Sequence, residues 1–241
     1  MSRMAQYREA HPLPFVINHW INVVSMLFLI LTGLCIHYPF LPFAMGVVRG
    51  LHIFFAIVFV VNAIVRVVLS FIVKSAQYQG TREGLDRDIK NFLPSKANRH
   101  QFWPWIKYYL FIKKEHPKGT KYGSPQKLAY AALPFLILLS ALSGFSLWSV
   151  TADWGFFAWL TSLVGGAMNM RMIHYVLMWI FIIFIFVHVY LANIYGSSSS
   201  RMMFFRKEHG GEVLDPETLE VIGVDDLSGK PIQPLDDRQD D

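Results

Sequence analysis

Four histidines in apolar segments of this 241-residue chain have the residue type and the spacing to bind metal centres. His174 and His188 are 14 residues apart, close to four α-helical turns, so their side chains share one helix face. The two positions are then about 21 Å apart along the helix axis. This excludes one shared metal ion, because ligands converge to within about 2 Å of the metal. It suits two redox centres at two depths of a membrane, since neutral imidazole is a common axial ligand of haem iron.

Each centre needs a second axial ligand at a matching depth, and the membrane segments decide which residues qualify. A spanning helix takes about 20 mostly apolar residues, and four stretches qualify, near residues 16–38, 47–73, 128–150 and 172–195. With four spans, both termini and the loop between the second and third spans share one side and contain 19 Lys and Arg. The opposite side has the two short loops 39–46 and 151–170 and only two basic residues, Arg49 and Arg171, at the adjoining span ends. The positive-inside rule therefore predicts that both termini are cytoplasmic.

This topology sorts the four histidines into two pairs. His19, at the cytoplasmic start of the first span, matches His188 in depth, and His52, at the outer start of the second span, matches His174. The sequence therefore predicts an all-α, integral membrane four-helix bundle with two b-type haems in its core. His19 and His188 would hold the inner haem, and His52 and His174 the outer one. The chain contains no Cys-x-x-Cys-His, which excludes covalent haem attachment.

Four other residues lie at depths that bear on these haems. Arg66 follows His52 by 14 residues and would bind a haem propionate, unless it extends to the cytoplasmic surface. Gly33 and Gly144 would let a flat macrocycle approach the backbone, or would serve helix–helix packing. His37, at the outer end of the first span, is either an alternative to His52 or a histidine at headgroup level.

The composition is typical of a membrane protein and argues against a soluble enzyme or a uniformly basic nucleic-acid-binding protein. Charged residues make up 16% of the chain, whereas soluble domains average about 25%. Residues 1–207 have a formal charge of +14 and residues 208–241 of −9. We therefore expect a membrane domain over residues 1–207 and an acidic, extended or disordered cytoplasmic tail over residues 208–241. A single cysteine, Cys35, excludes an internal disulfide, a cysteine-ligated iron–sulfur cluster and a structural zinc site within this chain.

Two aromatic segments lie outside the spans. Residues 101–112 have the composition of a segment along the inner membrane surface, and would cover the helix ends or contact a partner or ligand. Residues 154–163, in the last outer loop, would rest at the outer interface or receive a partner.

The stretches around these residues resemble the cytochrome b subunit of membrane-bound nickel–iron hydrogenases, over about residues 10–205. That group is related to the cytochrome b subunits of respiratory formate dehydrogenase and thiosulfate reductase. The matching stretches are HWINVVSMLFLILTG with His19 and Gly33, LHIFF and VVNAIVR with His52 and Arg66, YGSPQKLAYAALPFLILLSALSGFSLW, and HYVLMWIFIIFIFVHVYLA.

The resemblance implies an electron-transfer subunit of an oxidoreductase complex, with no hydrogen-splitting site in this chain. An iron–sulfur small subunit on the outer face would deliver electrons to the outer haem, and the nickel–iron centre would lie in a large subunit. The inner haem would reduce a quinone, menaquinone or ubiquinone, near the cytoplasmic side. Relatives have Tyr-Asn before the third span, where the Asn helps to bind quinone; here Tyr122, Ser124 and Gln126 are the candidates. The complex would sit in the lipid of a prokaryotic inner membrane, where it could form a higher oligomer.

Two alternatives remain at this point. The same chain could serve a formate dehydrogenase, a thiosulfate reductase or another molybdenum enzyme. It could also be a haem-free anchor or a transporter whose histidines relay protons. The four predicted spans contain no Asp or Glu, which counts against a relay.

Overall fold

The structure, a computed structural model, describes residues 4–40, 42–92, 101–113, 121–193, 197–218, 220–230 and 232. These residues are mostly helical, with α1 (Leu13–His37), α2 (Met45–Ile72), α3 (Phe102–Tyr109), α4 (Ser124–Leu147), α5 (Gly155–Leu163), α6 (Ala167–Asn193) and α7 (Ser198–Phe205). They also contain two antiparallel pairs of short strands: β1 (Lys74–Ala76) with β2 (Leu85–Arg87), and β3 (Gly211–Leu214) with β4 (Val221–Asp225).

Four helices of the described part of the chain, α1, α2, α4 and α6, are long and apolar enough to cross a membrane. This confirms the predicted four-span, all-α architecture. Each helix begins two to five residues before the corresponding apolar stretch. Polar first turns account for part of the difference, since the Ser124–Lys127 turn of α4 continues the helix beyond the apolar residues. A spanning helix is not limited to the hydrocarbon core, so its polar ends can extend into the headgroup region.

The chain divides into two compact units, and one of them, Ile17–Arg66 with Ala132–Val189, contains the middle of all four long helices. Many of its large apolar side chains are exposed, among them Phe54, Phe135 and Phe186. Several of its buried side chains are small and polar: Asn18, Ser25, Thr32, Asn62, Ser143 and Ser146. This distribution suits a bundle in lipid, because lipid solvates apolar side chains and small polar residues let helices approach closely.

The other unit combines the N-terminal arm, the segment between α2 and α4, and the C-terminal segment. Its β3–β4 hairpin pairs with the arm: the Ala5 N–H donates to the Glu212 carbonyl at 2.9 Å, and the Gln6 N–H to the His209 carbonyl at 2.8 Å. Ala5, Tyr7 and Val213 form a small buried apolar cluster. The arm and the hairpin therefore fold together.

A cluster of charged and polar side chains, the arm–hairpin cluster, joins the same elements. Arg82 Nη2 lies 2.9 Å from Glu208 Oε2 and Arg82 Nη1 lies 3.5 Å from Glu9 Oε1. The Tyr7 hydroxyl donates to Asp225 Oδ2 at 2.6 Å, and the Arg82 guanidinium lies over the Tyr7 ring. These contacts connect residues from 73 to 218 positions apart in the sequence.

The structure differs here from the sequence-based expectation of an extended or disordered segment from Glu208. Residues 211–214 and 221–225 form a hairpin instead. Its acidic composition predicts solvation, but Val213 and Leu214 are buried, and Ala5 and Tyr7 of the N-terminal arm pack against Val213. The last part of the predicted tail, residues 233–241, lies outside the described residues.

Both aromatic segments contain a short helix with exposed apolar side chains. In the segment 101–112, helix α3 buries Trp105, while Trp103 and the following Leu110, Phe111 and Ile112 are exposed. In the segment 154–163, helix α5 exposes Phe156, Trp159 and Leu163. Such surfaces suit the membrane–water interface, where aromatic side chains are enriched.

Candidate functional site

Two pairs of histidines meet within the unit that holds the middle of the long helices. The ring centroids of His19 and His188 are 6.1 Å apart, and those of His52 and His174 are 6.2 Å apart. All four rings are half-buried. The structure thus brings together the same partners that the matching of depths predicts.

Both separations fit a metal ion bound between two imidazoles. A metal ion bound to a ring nitrogen at about 2 Å lies about 3 Å from the ring centroid, so two opposed ligands have centroids about 6 Å apart. Within the described ranges, no group of three or more His, Cys, Asp or Glu side chains could hold a metal ion. Each pair therefore offers two nitrogens, which is the donor set of a haem with two axial histidines.

The predicted outer pair, His52 and His174, contacts two hydroxyl groups. Thr32 Oγ1 lies 2.9 Å from His52 Nδ1, and Ser143 Oγ lies 2.8 Å from His174 Nδ1. The Thr32 hydroxyl donates to the Phe28 carbonyl, and the Ser143 hydroxyl to the Ser140 carbonyl. A hydroxyl has one proton to donate, so each of them accepts the Nδ1–H of its histidine. The Nε2 atom of both rings then carries the lone pair that a metal ion needs.

The glycines next to these hydroxyl residues lie against the same rings. A Cβ on Gly33 would lie 3.4 Å from His52 Cε1, and one on Gly144 would lie 3.3 Å from His174 Cε1. A hydroxyl–glycine dipeptide, Thr32-Gly33 or Ser143-Gly144, therefore accompanies each outer histidine. The hydroxyl residues were not among the predicted site residues, although their position beside the predicted glycines is a signal in the sequence.

The predicted inner pair, His19 and His188, has aromatic neighbours, and an amide cluster begins at the residue before His19. The His188 ring stacks on Phe184 with centroids 5.7 Å apart, and the His19 and Trp20 rings form a T-shaped pair with centroids 5.6 Å apart. Directly before His19, Asn18 Nδ2 donates to Asn62 Oδ1 at 2.7 Å. Asn62 Nδ2 in turn donates to the Asn22 Oδ1 at 2.7 Å. The sequence-based prediction did not include these amides. Their signal in the sequence is the presence of three Asn within two otherwise apolar spans.

Two further candidates lie on the same helices. Arg66 is half-buried on α2, one helical turn after Asn62. His37 is exposed and stacks on Tyr175, with ring centroids 4.4 Å apart. His52, rather than His37, is the residue of this region that faces His174.

The three quinone candidates lie in the other unit, at the start of α4. The Tyr122 ring packs against Phe92 and Tyr130, with centroids 5.8 and 5.0 Å away. Gln126 Oε1 accepts the Gly123 N–H at 2.9 Å, which is the reciprocal bond of a capping box at the third helical position. Ser124 is the first residue of the helix.

Comparisons with known proteins identify a family. The sequence model of the family described as prokaryotic cytochrome b561 matches residues 10–205, which include all four paired histidines. A relative in Rhizobium leguminosarum bv. viciae, named "Probable Ni/Fe-hydrogenase B-type cytochrome subunit", is 29% identical over 198 residues, 74% of this chain and 77% of the relative. A relative of the same name in Cupriavidus necator is 24% identical over 196 residues, 74% and 76% of the two chains. In Escherichia coli K12, a "Probable Ni/Fe-hydrogenase 1 B-type cytochrome subunit" is 29% identical over 198 residues, 74% and 79%. These matches confirm the resemblance seen in the sequence.

Proposed function

Since this chain belongs to the prokaryotic cytochrome b561 family, we propose that it is the membrane b-type cytochrome subunit of a nickel–iron hydrogenase. Its role would be to carry electrons from the hydrogenase to a quinone. The observation that carries the proposal is the approach of two histidine pairs to 6.1 and 6.2 Å in a chain with four apolar helices. The names of the relatives support a hydrogenase as the partner.

The histidines would hold two haems b. His19 and His188 would bind the inner one, and His52 and His174 the outer one. When bound, the haems would supply one-electron carriers at two depths of the membrane. The Arg66 guanidinium would pair with a propionate of the inner haem, since it lies one turn of α2 after Asn62, whose amide bonds to Asn18 beside His19.

The partner subunits would complete the reaction. Oxidation of one hydrogen molecule in the large subunit releases two electrons and two protons, and the iron–sulfur small subunit on the outer face would pass the electrons on. One quinone, menaquinone or ubiquinone, would take up the two electrons and two protons from the cytoplasm to become a quinol. This arrangement in a prokaryotic inner membrane would separate charge without a proton pump.

The quinone would bind near the start of α4, where Tyr122, Ser124 and Gln126 stand in the place of the family's Tyr-Asn. Gln126 uses its carbonyl oxygen to cap the helix, and its Nε2 group is the donor that a quinone carbonyl would accept from. Exchanging Gln126 for Glu keeps the capping oxygen and removes this donor. We expect a raised KM for quinone with both haems retained, and an unchanged KM would remove Gln126 from the site.

A reduced-minus-oxidised visible spectrum of the purified chain, with haem quantified per chain, tests the haem assignment. We expect two b-type haems in the wild type and one in each of the four single His→Ala variants at the paired positions. His37→Ala, the matched control, should keep both. One haem in the wild type would contradict one pair, and a folded protein without haem would contradict the proposed function.

Purification of the complex from its native membrane through a tag on this chain tests the partner. We expect a nickel–iron large subunit and an iron–sulfur small subunit to copurify. A molybdenum-containing subunit in their place would support the formate dehydrogenase or thiosulfate reductase alternative.

A further inference from the structure

We infer that Thr32 and Ser143 are positioning residues that orient the two outer histidines and lower the reduction potential of the outer haem. The inference rests on the proposed function, because it takes His52 and His174 as the axial ligands of that haem. It concerns two hydroxyl groups on α1 and α4 that are not themselves haem ligands.

The direction of the hydrogen bonds carries the inference. Both hydroxyl residues are buried, with Thr32 6% and Ser143 3% exposed. Each donates its single proton to a carbonyl of its own helix and so accepts from the histidine Nδ1–H.

This arrangement has two consequences for a bound haem. With Nδ1 protonated, Nε2 is the nitrogen that coordinates iron, and the hydrogen bond holds the ring at one angle about its own axis. Donation from Nδ1–H also makes Nε2 a stronger electron donor, which favours ferric over ferrous iron. The bonds act in a buried site, where a hydrogen bond is electrostatically stronger than in water.

The same pattern on both sides argues for a common role. One hydroxyl comes from Thr32 of α1 and faces His52 of α2, and the other comes from Ser143 of α4 and faces His174 of α6. In each dipeptide the following glycine lets the ring lie close to the backbone. The neighbours described for the inner pair are aromatic rings, so the inner haem serves as an internal reference.

A potentiometric titration of the purified cytochrome, with the two haems resolved by their visible spectra, tests the inference. The His52→Ala variant identifies the spectrum of the inner haem alone. In Thr32→Val and in Ser143→Ala we expect the outer potential to rise by about 59 mV, which is a tenfold shift of a one-electron equilibrium. We expect the inner potential to stay unchanged, and Thr32→Ser to restore the outer value.

Ser146→Ala is the matched control. Ser146 is buried on α4 like Ser143, but its hydroxyl donates to the Leu142 carbonyl at 2.8 Å. We expect no change in either potential. If Thr32→Val fails to fold, Ser143→Ala, which removes only one oxygen atom, tests the same statement at the other ligand.

The outcomes separate this inference from the proposed function. Two haems with an unchanged outer potential in Thr32→Val and Ser143→Ala would overturn the inference and leave the proposed function intact. An equal rise in the Ser146→Ala control would also overturn it, because the shift would then follow from the loss of any buried hydroxyl. A wild-type protein without haem would overturn both.

Discussion

Asn18 and Asn62 exchange hydrogen bonds between two membrane helices: Asn18 Nδ2 donates to the Asn62 carbonyl at 2.9 Å, and Asn62 Nδ2 donates to the Asn18 carbonyl at 2.8 Å. Both side chains are buried. Amides that bond across helices in lipid stabilise their association, since neither can turn to water. Because Asn18 directly precedes His19, the exchange also sets the height of the inner histidine of α1 against α2.

Replacement of Asn62 by Leu should therefore destabilise the bundle. We expect a loss of about 1–2 kcal/mol, because the variant removes the Asn62 side-chain bonds to the Asn18 amide and to the Asn18 carbonyl, both buried. Reversible unfolding in mixed detergent micelles measures the loss. In a double-mutant cycle with Asn18→Leu, we expect the two losses to be strongly non-additive. Additive losses would contradict a direct coupling between the two amides.

Gly144, beside His174, should tolerate a side chain poorly. We expect Gly144→Ala to displace the His174 ring and reduce the occupancy of the outer haem, because the added Cβ would lie 3.3 Å from Cε1. Haem quantified per chain measures the effect. Gly50→Ala is the control, since a Cβ there meets nothing within 4 Å although Gly50 is two residues from His52. Equal haem contents in both variants would leave Gly144 with a role in helix packing alone.

The arm–hairpin cluster should weaken in acid. Burial raises the pKa of Glu208, but the hydrogen bonds from the Arg8 N–H and the Arg82 guanidinium, and the charges of both residues, outweigh it and lower that pKa. A lowered carboxyl pKa stabilises the folded state above the unfolded value of about 4.3. The stabilisation is lost as the pH falls from there through the lowered pKa of the folded state. We therefore expect the backbone amides of β3 to lose protection against hydrogen exchange as the pH falls through that range.

Hydrogen exchange of β3, corrected for its intrinsic pH dependence, measures this effect. Arg82→Gln should reduce protection at neutral pH and flatten the acid dependence, because it removes the guanidinium that faces Glu208. Lys90→Gln is the control, since Lys90 pairs with the exposed Asp86 instead. The same acid profile in Arg82→Gln and in the wild type would exclude Glu208 as the titrating group.

The basic residues predict the membrane orientation, and a topology reporter tests it. We expect a reporter enzyme that is active only outside the cytoplasm to work when it is inserted after Asp153, between α4 and α5, and to be silent when it is fused after Lys230. The count of 19 against two Lys and Arg is the reason. An active fusion after Lys230 would reverse the inner and outer assignment of the two histidine pairs.

The sequence by itself determined the properties that depend on length, composition and helical period. Four apolar stretches of sufficient length predicted the four long helices that the structure contains. The 14-residue step from His174 to His188 placed two histidines on one face of α6. The family resemblance could also be recognised from the sequence, because its motifs are short and local in the chain.

Beyond the two histidine pairs, only the tertiary structure decided which side chains from different elements meet. Thr32 faces His52 from 20 positions away, Ser143 faces His174 from 31 and Asn18 faces Asn62 from 44. The period of a helix gives the relative angle of its own residues, but it leaves open its rotation and height against its neighbours. The β3–β4 hairpin is the same case, since its burial depends on an N-terminal arm about 200 residues away, which local composition does not reveal.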